Sequence, residues 1–355
     1  MSIENYGDFQ KLPEGCIASL LSFMSPKDAC RLSSVNSTFR SAAESDVVWE
    51  KFLPPDCRYI ISRSIDGADS LLAKIHTKKE LYFHLCHNPI LIDGSTKYSI
   101  WPHCDKKTIK TTKIKILRSS LGHMAQFLGP TDASPALSFS LEKGTGKKCF
   151  MLASRDLIIW GCPPRWQWIS FPNSRFPEVG VRLVGYLFAI CGKINTSMLS
   201  SGTKYAAYLV FTLRSGINGY GHQLAQALIE ISGQNADEQT NYLQIGQEAD
   251  GTTVYCPDEE QRQRCQTVPR PKTFLHLISH VFRRLDIIEP SELHRYPKFR
   301  DDGWMEVEMG EFFVEGKQDQ DVKIISVPWN PGLWCNCWHG GHLIIQGIDI
   351  RPRAW

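Results

Sequence analysis

The chain has 355 residues, 42% of them hydrophobic, with 40 basic and 37 acidic side chains and a formal net charge of +3. That length suits two or three domains, and the apolar share excludes a disordered chain. The near-neutral balance gives no argument for a nucleic-acid partner, and no apolar run reaches the ~18 residues that a membrane span needs.

In chain order, Met1 to Asp8 is acidic and lacks the basic and apolar regions of a signal peptide, so nucleus and cytoplasm are the expected compartments. The 12 cysteines are then read as reduced thiols, with no metal and no cofactor expected. Residues 8–53 read as helical. Pro13 suits a first helical turn, and Ile17, Leu20, Leu21 and Met24 recur at the spacing of one apolar face. Ser25-Pro26-Lys27-Asp28 opens a second helix, with Ser25 as cap and Ala29, Leu32 and Val35 inward. Asn36 caps a third helix, and Asp46 starts a last turn holding Val48, Trp49 and Phe52. A bundle of ~45 residues buries too little surface to stand well alone, which points to a docking module or to a subdomain packed on the rest of the chain.

Residues 54–98 form a connector with a helical patch from Ser70 to Leu85. From Ser138 onward short alternating runs dominate. Met305, Val307 and Met309 alternate with Glu306 and Glu308, as in a strand with one buried face. Val322, Ile324 and Ser326 do the same less cleanly, and further runs cover 157–160, 181–194, 205–214 and 343–350. Residues 99–137 and 273–289 lack a strand pattern and read as insertions expected to be poorly ordered.

The segments Leu12-Pro13-Glu14-Gly15-Cys16-Ile17, Ser25 to Asn36 and Val48-Trp49-Glu50-Lys51-Phe52-Leu53 resemble an F-box. The resemblance implies docking to the Skp-type adaptor, and through it to the cullin, of an SCF ubiquitin ligase. Leu12, Pro13, Ile17, Leu21, Pro26, Leu32, Val35 and Trp49 would form or support that interface. Ala153 to Trp160 with Arg165-Trp166-Gln167-Trp168, then Asp302 to Phe313, then Ile345 to Pro352, are similar to the phloem protein 2 and tobacco-lectin domain. Residues 79–86 and 89–93 resemble the connector of F-box proteins of this type. The expected fold is therefore multidomain α+β: a helical F-box, then an antiparallel, jelly-roll-like β-sandwich of lectin type over 138–355.

That resemblance implies a site for N-acetylglucosamine-containing glycans or glycoprotein clients, with Trp160 and Trp166 lining it and Asp321 as an acidic ligand. Aromatic faces suit sugars because the C–H face of the ring is weakly apolar. Four departures stand against it: a turn one residue shorter, Arg165 in place of Tyr, Asp321 as a shorter carboxylate than the usual Glu, and Pro328 where the second acid belongs. Glu306 and Glu308, roughly 6.5–7 Å apart by strand rise, fit an inverting glycosidase by distance, but the alternation reads as a solvated face. Cys335 to His342 crowds its ligands too closely for a tetrahedral zinc site, and Gly144-Thr145-Gly146-Lys147-Lys148 reads as a turn rather than a phosphate loop. The reading is a non-catalytic ligase adaptor; a free lectin, a protein-binding module without sugar, or a glycan-acting enzyme stay open beside it.

Overall fold

The computed structural model describes residues 12–93, 136–161, 166–182, 188–214, 223–232, 241–245, 294–295, 297–316 and 319–353. Residues 273–289, and all of 99–137 except its last two, lie outside them. The described residues divide into two compact units, one holding 12–93 with 137–150 and the other 151–353. Among the described residues no helix is long and apolar enough to cross a membrane.

The first unit opens with α1 Glu14–Leu21, α2 Pro26–Leu32, α3 Ser37–Glu44 and α4 Asp46–Phe52. The caps follow the sequence. Ser25 Oγ accepts from Asp28 N at 3.1 Å, and Asn36 Oδ1 accepts from Phe39 N at 2.8 Å. Helix α4 is capped by Ser45 rather than started by Asp46 alone, whose carboxylate instead accepts from Lys78 N at 2.8 Å. The connector contributes α5 Cys57–Ser62, α6 Ala68–Leu72 and α7 Lys78–His87. The helical patch expected over 70–85 is thus broken. Thr77 and Glu80 form a capping box that restarts the chain as α7.

Trp49 joins these helices. It is 1% exposed, its Nε1 donates to Ala43 O at 2.7 Å, and its ring lies within 5.4 Å of Phe52, 5.1 Å of Tyr82 and 5.2 Å of Phe83. Strands β1 Ile90–Asp93, β2 Ala136–Leu141 and β3 Lys148–Ala153 follow side by side. The β2–β3 turn is the Gly-rich stretch. Glu142 fills it with its own carboxylate, accepting from Gly144 N at 2.9 Å and Thr145 N at 2.7 Å, so the amides face no outside anion. Tyr82 donates to the carbonyls of Glu142 and Lys143, and Lys148 pairs with Asp56 at 2.9 Å.

Gly146 makes that turn fit. Its φ is +72°, and a Cβ there would sit 2.5 Å from the Phe52 carbonyl oxygen. Gly146→Ala is therefore expected to destabilise the chain by more than about 1 kcal/mol, because backbone strain and a backbone clash coincide. A lower urea midpoint with an unchanged slope is the expected readout; an unchanged midpoint would deny the close approach.

The second unit is a two-sheet antiparallel sandwich. Its strands are β4 Ile158–Gly161, β5 Trp166–Ile169, β6 Val179–Arg182, β7 Phe188–Asn195, β8 Thr203–Arg214, β9 Gln223–Ile231, β10 Asn241–Ile245, β11 His294–Arg295, β12 Lys298–Phe299, β13 Met305–Val314, β14 Asp321–Pro328 and β15 His342–Pro352. The larger sheet runs β15-β8-β13-β12 beside the end of β3, with β6 on β15 and β5 on β6. The smaller runs β11-β10-β9-β14-β7-β4, antiparallel except for the β10–β11 pair. The run expected over 181–194 divides into β6 and β7, one in each sheet. The sheets meet closely at Gly192 of β7, where a Cβ would lie 2.8 Å from Leu152 and 2.9 Å from Ile348. Tyr205, Leu209, Phe211, Val307, Ile324 and Ile348 are among the buried core residues.

Two bulges set the faces of the larger sheet. Between Glu308 and Gly310 strand β13 carries one residue more than β8, and between Ile345 and Gly347 strand β15 does the same. Glu306, Glu308 and Glu311 therefore share a face with Tyr208, Asp349 and Arg351.

Candidate functional site

The eight F-box residues divide by burial. Ile17, Leu21 and Trp49 are each 1% exposed, and Pro26 is buried with them, so these four support the bundle from inside. Leu32 is half-buried, while Leu12, Pro13 and Val35 are exposed. The apolar spacing along α1 serves two surfaces rather than one. Leu20 and Met24, expected to face inward with Ile17, are 49% and 45% exposed. Phe23, at 86%, and Val47, at 58%, join them and were not singled out from the sequence. A run of apolar residues longer than one helix face needs is the signal that could have found them.

The glycan residues come from three strands in two sheets. Trp160 lies on β4 of the smaller sheet, opposite Ala189 of β7. Trp166 lies on β5 of the larger sheet, opposite Arg182 of β6. Asp321 does not lie beside Trp160. It stands opposite Asn195, six residues along β7 from Ala189, which is roughly 20 Å at about 3.3 Å per residue. There it pairs with Lys193 at 2.7 Å and accepts from Asn195 Nδ2 at 3.3 Å. Asp321 thus stands apart from Trp160. It is the Pro328 end of β14 that lies near the level of Trp160, since Ser326 is opposite Ile190.

The Glu306–Glu308 face is not solvated. The two side chains are only 12% and 14% exposed, and arginines neutralise them. Arg351 Nη2 reaches Glu306 Oε1 at 2.5 Å, Arg300 Nη1 reaches Glu306 Oε2 at 2.9 Å, and Arg353 Nη1 reaches Glu308 at 2.8 Å. Arg300 also pairs with Asp302 at 3.1 Å and Asp349 at 3.0 Å, and Arg351 lies 3.9 Å over the Tyr208 ring. Burial alone would lower the Arg351 pKa, but its hydrogen bonds to Glu306 and the Asp349 charge outweigh it and raise it. Both carboxylates are held by guanidinium groups, an arrangement that suits a structural lattice better than acid–base chemistry.

Among the described residues no group of three His, Cys, Asp or Glu side chains is placed to hold a metal ion. Residues 335–341 lie outside the described residues. His87 stacks on Phe83, 6.1 Å between centroids, and burial pushes the Cys86 thiol up to about 12. Burial likewise pushes Cys57 to about 12 and Cys191 to about 11, so these thiols stay protonated at neutral pH.

Comparison with known proteins matches residues 9–51 to the F-box domain and residues 147–352 to the Phloem protein 2 family. The F-box protein At2g02240 of Arabidopsis thaliana is 35% identical over 350 residues, covering 97% of this chain and 80% of the relative. The F-box protein PP2-B10 of the same plant is 32% identical over 347 residues, covering 97% and 94%. Among solved structures, TmCBM61 in complex with β-1,4-galactotriose overlaps 57% of this chain and 91% of its own at 6% identity and a TM-score of 0.28, a likeness too slight to build on.

Proposed function

Since this chain belongs to the F-box proteins that carry a phloem protein 2 domain, we propose that it is a substrate-recognition adaptor of an SCF-type cullin–RING ubiquitin ligase, working in nucleus and cytoplasm. The F-box docks on a Skp-type adaptor. The β-domain holds a client, with N-acetylglucosamine-containing glycans as the ligand class. The chain performs no chemistry itself; tethering raises the client's effective concentration at the ligase.

The observation that carries the docking half is the apolar surface that the F-box leaves exposed. Leu12, Leu20, Phe23, Met24, Val35 and Val47 stay exposed on a bundle whose core is already filled by Ile17, Leu21 and Trp49. So many large apolar side chains on so few residues favour a partner surface.

The test is co-purification of the full chain with a Skp-type adaptor. Wild type is expected to hold the adaptor through gel filtration, and Leu12→Ala/Pro13→Ala to release it while keeping wild-type circular dichroism. Both positions are exposed, so the double variant reports contact rather than folding. A folded wild type that fails to bind would leave a free carbohydrate-binding protein as the better reading.

A further inference from the structure

The strands bearing Trp160 and Trp166 belong to different sheets, so something must fix their spacing. The 3-10 turn Ser154–Asp156 leads directly into β4. It grips the β5–β6 hairpin at three points. Ser154 Oγ accepts from Gly180 N at 3.0 Å. The Arg155 guanidinium lies over the Trp168 ring, 4.6 Å from its centroid. Arg155 also holds Glu178 Oε2, from Nε at 2.6 Å and Nη2 at 2.5 Å. Gly180 is the ladder partner of Trp168, and Trp166 is on the same strand opposite Arg182. The three contacts therefore converge one rung pair away from Trp166, starting from the segment that feeds Trp160.

Arg155 and Glu178 are partly exposed, 24% and 42%, so the pair adds little to global stability. Its distinctive effect is local: it ties the turn that joins β3 of the larger sheet to β4 of the smaller one onto the β5–β6 hairpin of the larger. We propose that Arg155 is a positioning residue for ligand binding, fixing the gap between the Trp160 and Trp166 strands by stacking on Trp168 and clamping Glu178. This rests on the glycan reading of the β-domain. Without the clamp, a sugar would have to order the two strands as it binds, and affinity would fall by that cost.

The experiment is calorimetric titration of the full chain with chitotriose, with a thermal melt of each variant. Arg155→Ala is expected to weaken binding roughly three- to tenfold while the melting midpoint barely moves. Arg155→Lys should recover part of the loss, since it keeps a cation over Trp168 but not the two-pronged grip on Glu178. In a Trp166→Phe background the Arg155→Ala penalty should shrink, because the clamp acts through that position. Equal binding by wild type and Arg155→Ala, or the same penalty in both backgrounds, would overturn the inference alone. No chitotriose binding by a folded wild type would remove the glycan reading and this inference with it.

Discussion

Trp49→Ala is expected to lower the stability of the helical unit by about 3–5 kcal/mol, the range for truncating a buried aromatic. The side chain is 1% exposed and touches Phe52, Tyr82 and Phe83, so its removal opens a cavity between the F-box and α7. It also takes the indole donor from the Ala43 carbonyl. A domain is typically stable by only about 5–15 kcal/mol, so a fall of this size leaves much of the unit open. Urea denaturation followed by tryptophan fluorescence and circular dichroism measures it. A shift under about 1 kcal/mol would place Trp49 outside the core. The same logic decides how to read docking experiments: loss of adaptor binding in a Trp49 variant reports folding, whereas loss in a Leu12 variant reports the surface.

Arg300→Ala should cost the β-sandwich about 3 kcal/mol, the lower end for breaking a buried ion pair. Arg300 is 11% exposed and faces Asp302, Glu306 and Asp349, the last 6% exposed. Alanine leaves Glu306 and Asp349 with the Arg351 guanidinium and takes the Arg300 partner from Asp302. Arg300→Met, which refills the volume but not the charge, should be nearly as destabilising, because the uncompensated carboxylates rather than the cavity carry the penalty. Thermal melts of both variants test this. Near-wild-type melting of Arg300→Met would show that packing, not charge, is what Arg300 supplies.

The helical unit was largely legible because its signals are local. Ser25 and Asn36 cap by reaching three residues ahead, a distance that any reading of the chain contains. The outward role of Leu20 and Met24 was not, since the spacing that marks a core face also marks a docking face. In the β-unit, alternation identified the strand at Met305, Val307 and Met309, and all three are buried. It could not tell that Glu306 and Glu308 are covered. Two of their guanidinium partners, Arg351 and Arg353, each stand 45 residues on and meet them only through strand register. Register also removes Asp321 from Trp160. A residue's place on a strand is visible in the chain, but which end of the sheet that strand reaches is decided by its neighbours.

The bulge at Glu308/Gly310 also governs how β13 tolerates changes in length. Over the span paired with Leu209 to Ala206, β13 uses one residue more than β8. Loss of the single codon for Met309 would turn the irregular rung into a regular one and leave Glu311 opposite Ala206, on the same face as Glu308. Loss of Val307 would reverse the alternation on one side of the gap and drive a charged side chain into the core. In-frame deletions along this strand are thus far from equivalent: the bulge is where a gap is absorbed, at the cost of one buried methionine, and the rungs beside it are where a gap is ruinous.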